Sequence, residues 1–300
     1  MDSNRDYKTK YFALSFCAAF FVLALILLFL ISTMQPVEPS GAASRDVSRR
    51  VEAPPPVYQP HEADALTLLL FGSERARSAA DTFVLLRFDP VRAEVAVAVF
   101  PPGTVLNHNE REETLSDVYR FGGAIYTRDA LSAFLDIPID RYARINISNF
   151  ITAAAAVGSI EFELDEDITI QDGDLAVTLN AGVHLLDGRQ IAMLIGYQNY
   201  PGGEAQRGQI TSQLVSAIIN QRIDVVNSTL LDRVFQTVIN LVDTDITYSD
   251  YERRRDAARL MAASGKEVAR PIPLQGEFLE DGEKFILADT ALANLALIFL

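Results

Sequence analysis

Few residues in this 300-residue chain have both the type and the placing to do chemistry. Glu74, with Arg75 and Arg77 just behind it, follows the break Gly72-Ser73 at the end of an apolar run. Asp81-Thr82 opens the next apolar run. Glu204 and Arg207 stand one helical turn apart, after the chain-breaking Tyr200-Pro201-Gly202-Gly203. Arginine suits phosphate, because its planar guanidinium offers two parallel N–H donors to it. Each group also has a plainer reading. Asp81 at a strand start can cap a turn, and Arg207 can pair with Glu204 on a helix surface with little energetic weight. Loop arginines such as Arg75 and Arg77 are commonly solvated. His184 has no second His or Cys near it and reads as a partly buried, satisfied histidine. Asp165, Glu166, Asp167, Asp172 and Asp174 have the composition of a metal site without the ligand spacing of a calcium loop. Glycine-rich phosphate loops are absent, and no Ser/His/Asp set is placed convincingly.

The stretch that must position these groups is residues 181–213. It reads as a turn, a helix, a polar loop and a second helix. Ala181-Gly182 makes the turn, and Leu185, Leu186, Ile191 and Leu194 are apolar anchors. Asp187 falls where a helix N-cap belongs, its carboxylate free to accept from an early backbone N–H. The run Ala-Gly-x-x-x-Leu-Asp-Gly-x-Gln at 181–190, then a polar loop and an Arg three residues after an acid, resembles the LytR–CpsA–Psr domain. The resemblance covers roughly residues 64–222. Known members are membrane-anchored enzymes outside the cell membrane. They move glycopolymers from a polyprenyl-pyrophosphate carrier onto peptidoglycan.

In that family an acid follows the first strand, and Asp-Thr opens the second. A Pro-Arg-Asp turn follows the third, an Arg-x-Arg pair leaves the first helix of the central stretch, and Asp-x-x-Arg-x-x-Arg-Gln opens the next. On this chain the same positions read Gly72-Ser73-Glu74, Asp81-Thr82, Pro101-Pro102-Gly103-Thr104, Gly196-Tyr197-Gln198 and Glu204-x-x-Arg207-x-x-Ile210-Thr211. The resemblance thus implies Arg207 and Asp81 as catalytic residues, and Glu74 and Asp81 as ligands of a Mg²⁺ ion. Arg75, Arg77 and Gln198 become the substrate-binding candidates. The family's cations are missing at Pro102, Gly196, Gln198 and Ile210, and Arg75 and Arg77 are the first to ask as replacements. The family also holds a lipid tail in an apolar tunnel. Ala153 to Ala156, Ile191, Leu194, Ile195, Leu214 and Ile218 either line one here or close it as ordinary core.

Composition bounds the rest. A net charge of −14 argues against a duplex-DNA surface, whose affinity rests on cations neutralising phosphates, and no helix-turn-helix is visible. The one cysteine, Cys17, lies in an N-terminal apolar run, so the remainder has no disulfide framework or thiolate metal site. Residues 12–31 are continuously apolar, with Ser15 the one clearly polar member. At a rise of about 1.5 Å per residue they span a hydrocarbon core of roughly 30 Å. A cleaved signal peptide would have a shorter apolar region and a small-residue cleavage site, which Ile31-Ser32-Thr33-Met34 is not. The expected organisation is a cytoplasmic tail (1–11), a transmembrane anchor (12–34) and a proline-rich linker (35–63). The family-like domain (64–222) follows, then an extension packed on it (223–300). Arg5, Lys8 and Lys10 precede the span, and Arg45, Arg49 and Arg50 follow further off, which favours the N-terminus inside.

Strands are expected at 66–71, 81–89, 94–100, 141–147, 160–164 and 175–179. Helices are expected at 114–121, 127–135 and 150–157, and the chain is mostly helical after Gly203. Leu230, Leu231, Val234, Val238 and Leu241 repeat at helical spacing. Ser249-x-x-Glu252 has the form of a capping box, and the charge run 252–256 reads as a solvated helix face. A strand-like pair is expected around 268–274 and 285–287, then a helix from Asp289. This alternation predicts an α/β fold, a mixed central sheet with helices on both faces, preceded by one transmembrane helix. Three functional readings follow: a catalytically degenerate family member that acts by binding or by modulating an active paralogue, an active phosphotransferase with a relocated arginine set, or a structural envelope domain or binder of an unrelated ligand. The anchor assignment predicts that protease added to intact cells, or to spheroplasts where a wall or outer membrane intervenes, digests residues 64–300. Protection of that region would reverse the orientation.

Overall fold

A computed structural model of the protein describes residues 58–74, 79–108, 111–172, 175–222, 239–280 and 282–300. The apolar span 12–31, most of the linker, Arg75, Arg77, Asp174 and the helical repeat from Leu230 to Val238 lie outside the described residues. In chain order the elements are β1 (Leu66–Ser73), β2 (Ala80–Asp89), β3 (Glu94–Phe100), β4 (Val105–His108), β5 (Arg111–Thr114), α1 (Leu115–Leu135), β6 (Arg141–Asn146), α2 (Ile147–Val157), β7 (Ile160–Leu164), β8 (Ile168–Asp172), β9 (Leu175–Leu179), β10 (Gly182–Leu186), α3 (Gly188–Gly196), α4 (Gly203–Arg222), β11 (Asp243–Thr244), α5 (Tyr248–Ala263), β12 (Ala269–Ile272), β13 (Gly276–Phe278), β14 (Phe285–Leu287) and α6 (Asp289–Phe299).

Six strands form the central sheet in the order β11-β6-β1-β2-β3-β12. β1 runs antiparallel to β2 and parallel to β6, and β12 runs parallel to β3, so the sheet is mixed as expected. All eight residues of β1 are buried, which explains its unbroken apolar run. Its side chains divide by pleat. Leu66, Leu68 and Leu70 pack with residues of α2, α3, α4 and α5, while Leu69 and Phe71 pack with α1 and α6. The helices therefore cover both faces. The segment after residue 222 contributes β11 and β12 to this same sheet.

Several expectations need correcting. The Gly122-Gly123 break expected between helices at 114–121 and 127–135 is not one of them, since α1 kinks at Gly123, whose φ of 70° lies outside the helical region. The hairpin β4–β5 follows the Pro101-Pro102-Gly103 turn, where no strand was expected. Residues 182–186 are strand β10, paired with β7, where no strand was expected, so Leu185 is 67% exposed and anchors nothing, while Leu186 is fully buried. Gly182 has φ of 118°, which makes glycine the natural residue at that turn. The cap of α5 is the box Thr247–Asp250, two residues before the Ser249–Glu252 pair. Within the supposedly solvated run, Arg254 is buried and donates to the Asp64 and Ala65 carbonyls. The tail strands do not pair with each other: β12 joins β3, and β14 pairs with β13.

The Asp187 cap is realised in full. Its Oδ1 accepts from Gln190 N–H at 2.8 Å, and the Gln190 amide oxygen accepts from Asp187 N–H at 3.0 Å. The next residue, Gly188, lets α3 lie against α2, because a Cβ there would stand 2.2 Å from Ala154 Cβ. Gly188→Ala should therefore cost about 1–3 kcal/mol of stability through overpacking. Thermal melts should show a lowered Tm, partly restored by adding Ala154→Gly. An unchanged Tm for the single variant would mean that the two helices are not held in close contact.

Candidate functional site

The site is built at one end of the sheet by a local irregularity. Gly72 pairs with Thr82, but Ser73 pairs with Ala80, so Asp81 is the extra residue of a β-bulge. A bulge turns its extra side chain out of the regular alternation, which is why such features recur beside functional sites. Facing the bulge is the first turn of α4. Gly203, at φ of 60°, starts that helix and brings Glu204 and Arg207 toward Asp81.

Arg207 is only 5% exposed, so the surface pair expected from spacing is a buried one. Its Nε and Nη2 donate to Glu204 Oε2 at 2.9 and 2.5 Å. Nη2 also donates to the backbone oxygen of Asp81 at 3.3 Å. The guanidinium thus ties α4 to the bulge. The Asp81 carboxylate accepts from Thr82 Oγ1 at 3.3 Å. Burial pushes the Asp81 carboxyl up to about 7, against the opposing pull of the Arg207 charge and the Thr82 hydroxyl.

Asp81 and Arg207 line one small cavity, as their positions at the strand end imply, together with Thr82, Pro101, Glu204 and Thr211. Its volume is about 10 Å³, near the lower limit for a single water. Thr211, absent from the sequence-based candidates, is fully buried there, and its hydroxyl has no hydrogen-bond partner among the described residues. Glu74 follows directly on β1 and is partly buried. Gln198 sits exposed in the loop between α3 and α4 and lines neither this cavity nor its larger neighbour. Pro102 serves the fold, its carbonyl accepting from Ser116 N–H at 2.9 Å, and Ile210 packs against the core. His184 is half-buried, with Nε2 2.6 Å from the Asn180 oxygen. Among the described residues no three His, Cys, Asp or Glu side chains gather as a metal-ligand set.

Of the supposed tunnel residues, Ala153, Ala154, Ile191, Leu194, Ile195, Leu214 and Ile218 are at most 1% exposed and belong to one packed cluster, while Ala155 and Ala156 face solvent. A larger cavity of about 570 Å³ lies beside the small one and shares Val99, Pro101, Glu204 and Gly208 with it. Among the described lining residues Arg207 is the one guanidinium of the small cavity, and the larger cavity has none. A third, polar cavity of about 370 Å³ lies at the far end of β1, where Arg87, Arg141 and Arg254 meet Asp140 and Asp250. There Arg141 grips Asp250 with Nε at 2.8 Å and Nη2 at 3.1 Å. Burial alone would raise Asp250, but Arg141 and Thr247 hold it at about 2.

The LytR_cpsA_psr family model matches residues 32–291, a wider span than the 64–222 read from motifs. A Staphylococcus aureus protein of unassigned role, SAOUHSC_00997, is 21% identical over 183 residues, which cover 60% of this chain but 45% of that protein's length. The polyisoprenyl-teichoic acid–peptidoglycan teichoic acid transferase TagU of Bacillus licheniformis is 23% identical over 227 residues, covering 74% of this chain and 70% of TagU. The crystal structure of TagU from B. subtilis superposes with a TM-score of 0.56 at 20% identity, covering 78% of this chain and 95% of that one. At that identity the likeness establishes the fold.

The raised Asp81 carboxyl has a stability consequence of definite sign. Between about pH 4 and pH 7 the unfolded chain has lost this proton while the folded one keeps it, so folding is progressively penalised as pH rises. Asp81→Asn should remove the penalty. With divalent cations chelated, the variant should gain on the wild type by up to a few kcal/mol between pH 4 and pH 7, and no further above it. Urea titrations across that range test this; a stability difference independent of pH would show that Asp81 is not held protonated by burial.

Proposed function

The chain belongs to the LytR-CpsA-Psr family, and we propose that it is a membrane-anchored, extracytoplasmic member in which transfer chemistry has been lost. In this reading it binds or modulates during the attachment of cell-wall glycopolymers, the process that the TagU relatives' description names. Residues 12–31 supply the anchor, and the partners are a polyprenyl phosphate or pyrophosphate lipid or an active paralogue. No nucleic acid is involved.

One observation carries the reading. Around the buried Asp81–Arg207 contact the described lining offers a single guanidinium, and that one is already engaged by Glu204 and the Asp81 carbonyl. Transfer from a pyrophosphate requires fixed cations where charge develops over several oxygens. Pro102, Gly196, Gln198 and Ile210 provide none, and the last two places a second Arg would serve are taken by a loop amide and a core side chain. Each lost donor typically costs on the order of 3 kcal/mol, and although such losses are not additive, several together put turnover orders of magnitude down. The alternative is an active phosphotransferase in which Arg75 and Arg77 replace the missing set and Glu74 and Asp81 would hold a Mg²⁺ ion supplying positive charge to the phosphate. Mg²⁺ takes one or two carboxylates and completes its shell with water and substrate phosphates.

The full chain, assayed for transfer or pyrophosphate hydrolysis beside an arginine-complete homologue, should show little or no turnover with or without Mg²⁺. Comparable turnover, lost in Arg207→Ala and in Arg75→Ala/Arg77→Ala, would overturn the degenerate reading in favour of the relocated set.

A further inference from the structure

Strands β7 to β10 form a two-stranded ribbon whose charge is confined to one side. β7 pairs with β10 and β8 with β9, both antiparallel. The first side carries Glu161, Glu163, Asp165, Glu166, Asp167 and Asp172, whereas residues 175–186 hold no acid, lysine, arginine or proline. The acidic side lies along α4. Gln221 of that helix accepts from Glu161 N–H at 2.8 Å and donates to the Glu161 carbonyl at 2.6 Å, and Gln206 donates to Glu166. In an antiparallel pair the N–H and C=O of one residue point to the same side, and the sides alternate along the strand. Glu161 turns both groups toward α4. Leu185 opposite it, and Val183 opposite Glu163, therefore turn theirs away from β7, to the outer edge of β10. Among the described residues no protein group bonds to those outward N–H and C=O groups. The side chains of the same two residues are 68% and 67% exposed.

Edge strands are commonly guarded by a charge, a proline or a bulge, and the five residues of β10 have none of these. We propose that the outer edge of β10 pairs antiparallel with β10 of a second copy of this chain, about a two-fold axis at His184. That register sets Val183 opposite Leu185 of the partner subunit, and Leu185 opposite Val183 of the partner subunit. Each pair exchanges two backbone hydrogen bonds, so all the outward groups of both copies are satisfied at once. Other registers satisfy fewer. With the axis at Val183, Leu185 meets Ala181, whose N–H is already given to Asp167. With the axis at Leu185, Val183 meets Asp187, whose N–H is given to Gln190. The exposed apolar side chains of the two copies then lie beside one another on the solvent face. Charge also favours a second copy. A chain of net charge −14 meets its like with least repulsion along a strip without acids. The acids of the two β7 strands would stand three strand spacings apart, about 14 Å, beyond a Debye length of about 8 Å. A basic foreign strand would lie two spacings, about 10 Å, from β7, equally screened, and would set its cations beside Val183 and Leu185. A strand pair is smaller than a stable interface of about 1,600 Å², so the association is weak and concentration-dependent.

The test uses the full chain with Cys17→Ser in detergent micelles. Sedimentation equilibrium should show monomers and dimers exchanging in the micromolar range. Val183→Lys/Leu185→Lys, whose fold is checked by circular dichroism, should weaken the association about tenfold or more, because it sets like charges opposite one another. His184→Cys should form an intermolecular disulfide under mild oxidation. Antiparallel residues that exchange no hydrogen bonds have Cα atoms about 4.5 Å apart, within disulfide reach. Thr178→Cys, exposed on the same ribbon but six residues from the axis, should not cross-link. A chain that stays monomeric overturns the proposal. So does a dimer that survives the lysine pair, which would place the contact elsewhere, the apolar N-terminal run included. Dimers that cross-link as well through Thr178→Cys as through His184→Cys, or through neither, overturn the pairing. Turnover plays no part in these readouts, so the proposal stands or falls apart from the reading of the site.

Discussion

The structure depends on the burial of β1. A strand paired on both edges and covered on both faces leaves little room for polar side chains, and all eight of its residues are buried, Thr67 and Ser73 near its ends included. Polar chemistry is pushed to the two strand ends, and each end solves the problem differently. At the first, Thr67 N–H and C=O are met by Asp140, and the arginines 87, 141 and 254 bond to carbonyls, carboxylates and the Thr67 hydroxyl. At the second, the bulge at Asp81 interrupts the pairing and leaves an opening against α4. The first end is an interlocked structural network. The second opens on the two cavities that α4 lines.

That second end is governed by a competition for one guanidinium. Arg207 is buried, and a buried charge must be paired or pay heavily for lost hydration. Glu204 supplies the pair from within the same helix, and the Asp81 carbonyl supplies a further acceptor. In a family site with several arginines, one such internal contact would leave the others for phosphate. Here a phosphate arriving at Arg207 must displace Glu204 and then compete with a carboxylate already desolvated beside it. Burial raises the Asp81 carboxyl, with Glu204 adding a little to the rise and Arg207 opposing it. The two residues that survive from the family pattern therefore neutralise and anchor one another's surroundings more than they present charge to a ligand.

Much of this frame was legible in the sequence. The apolar runs of β1, β2 and β3, bounded by Gly72-Ser73, Asp89-Pro90 and Phe100-Pro101, fall close to their observed limits, because a strand buried on both faces leaves no polar residue to blur its ends. Asp187 announced its cap because the capping box is a local rule satisfied within four residues. What escaped was set at longer range. Leu185 looks like core until β10 pairs with β7 and turns it outward, since strand pairing, not local hydropathy, fixes which face is which. Arg254 reads as solvated because nothing near it in sequence says that Asp64 and Ala65 offer their carbonyls. The order of β12 and β14 was likewise invisible, being decided by partners far along the chain. At the site, motif spacing placed Asp81 and Arg207 correctly in one cavity, yet gave no sign of the bulge or of the unpartnered Thr211 hydroxyl.

Thr211 lies between the two cavities' different characters on α4. It stands where the family pattern puts a Gln, one position after Ile210 replaces an Arg, and both changes shorten or discharge the face of α4 that looks at the bulge. Shorter side chains there would open space, but Arg207 and Glu204 fold over it and reduce the volume to about 10 Å³. The next turns of the same helix show the opposite trend: Gly208 keeps the backbone close to Val99, and Gln209 and Gln213 extend uncharged amides over a cavity of about 570 Å³. Along one helix the polar character shifts from ionic and closed to neutral and open within two turns. A phosphoryl transition state needs fixed opposite charge, and among the described residues lining these two cavities the one guanidinium, Arg207, is already bound by Glu204.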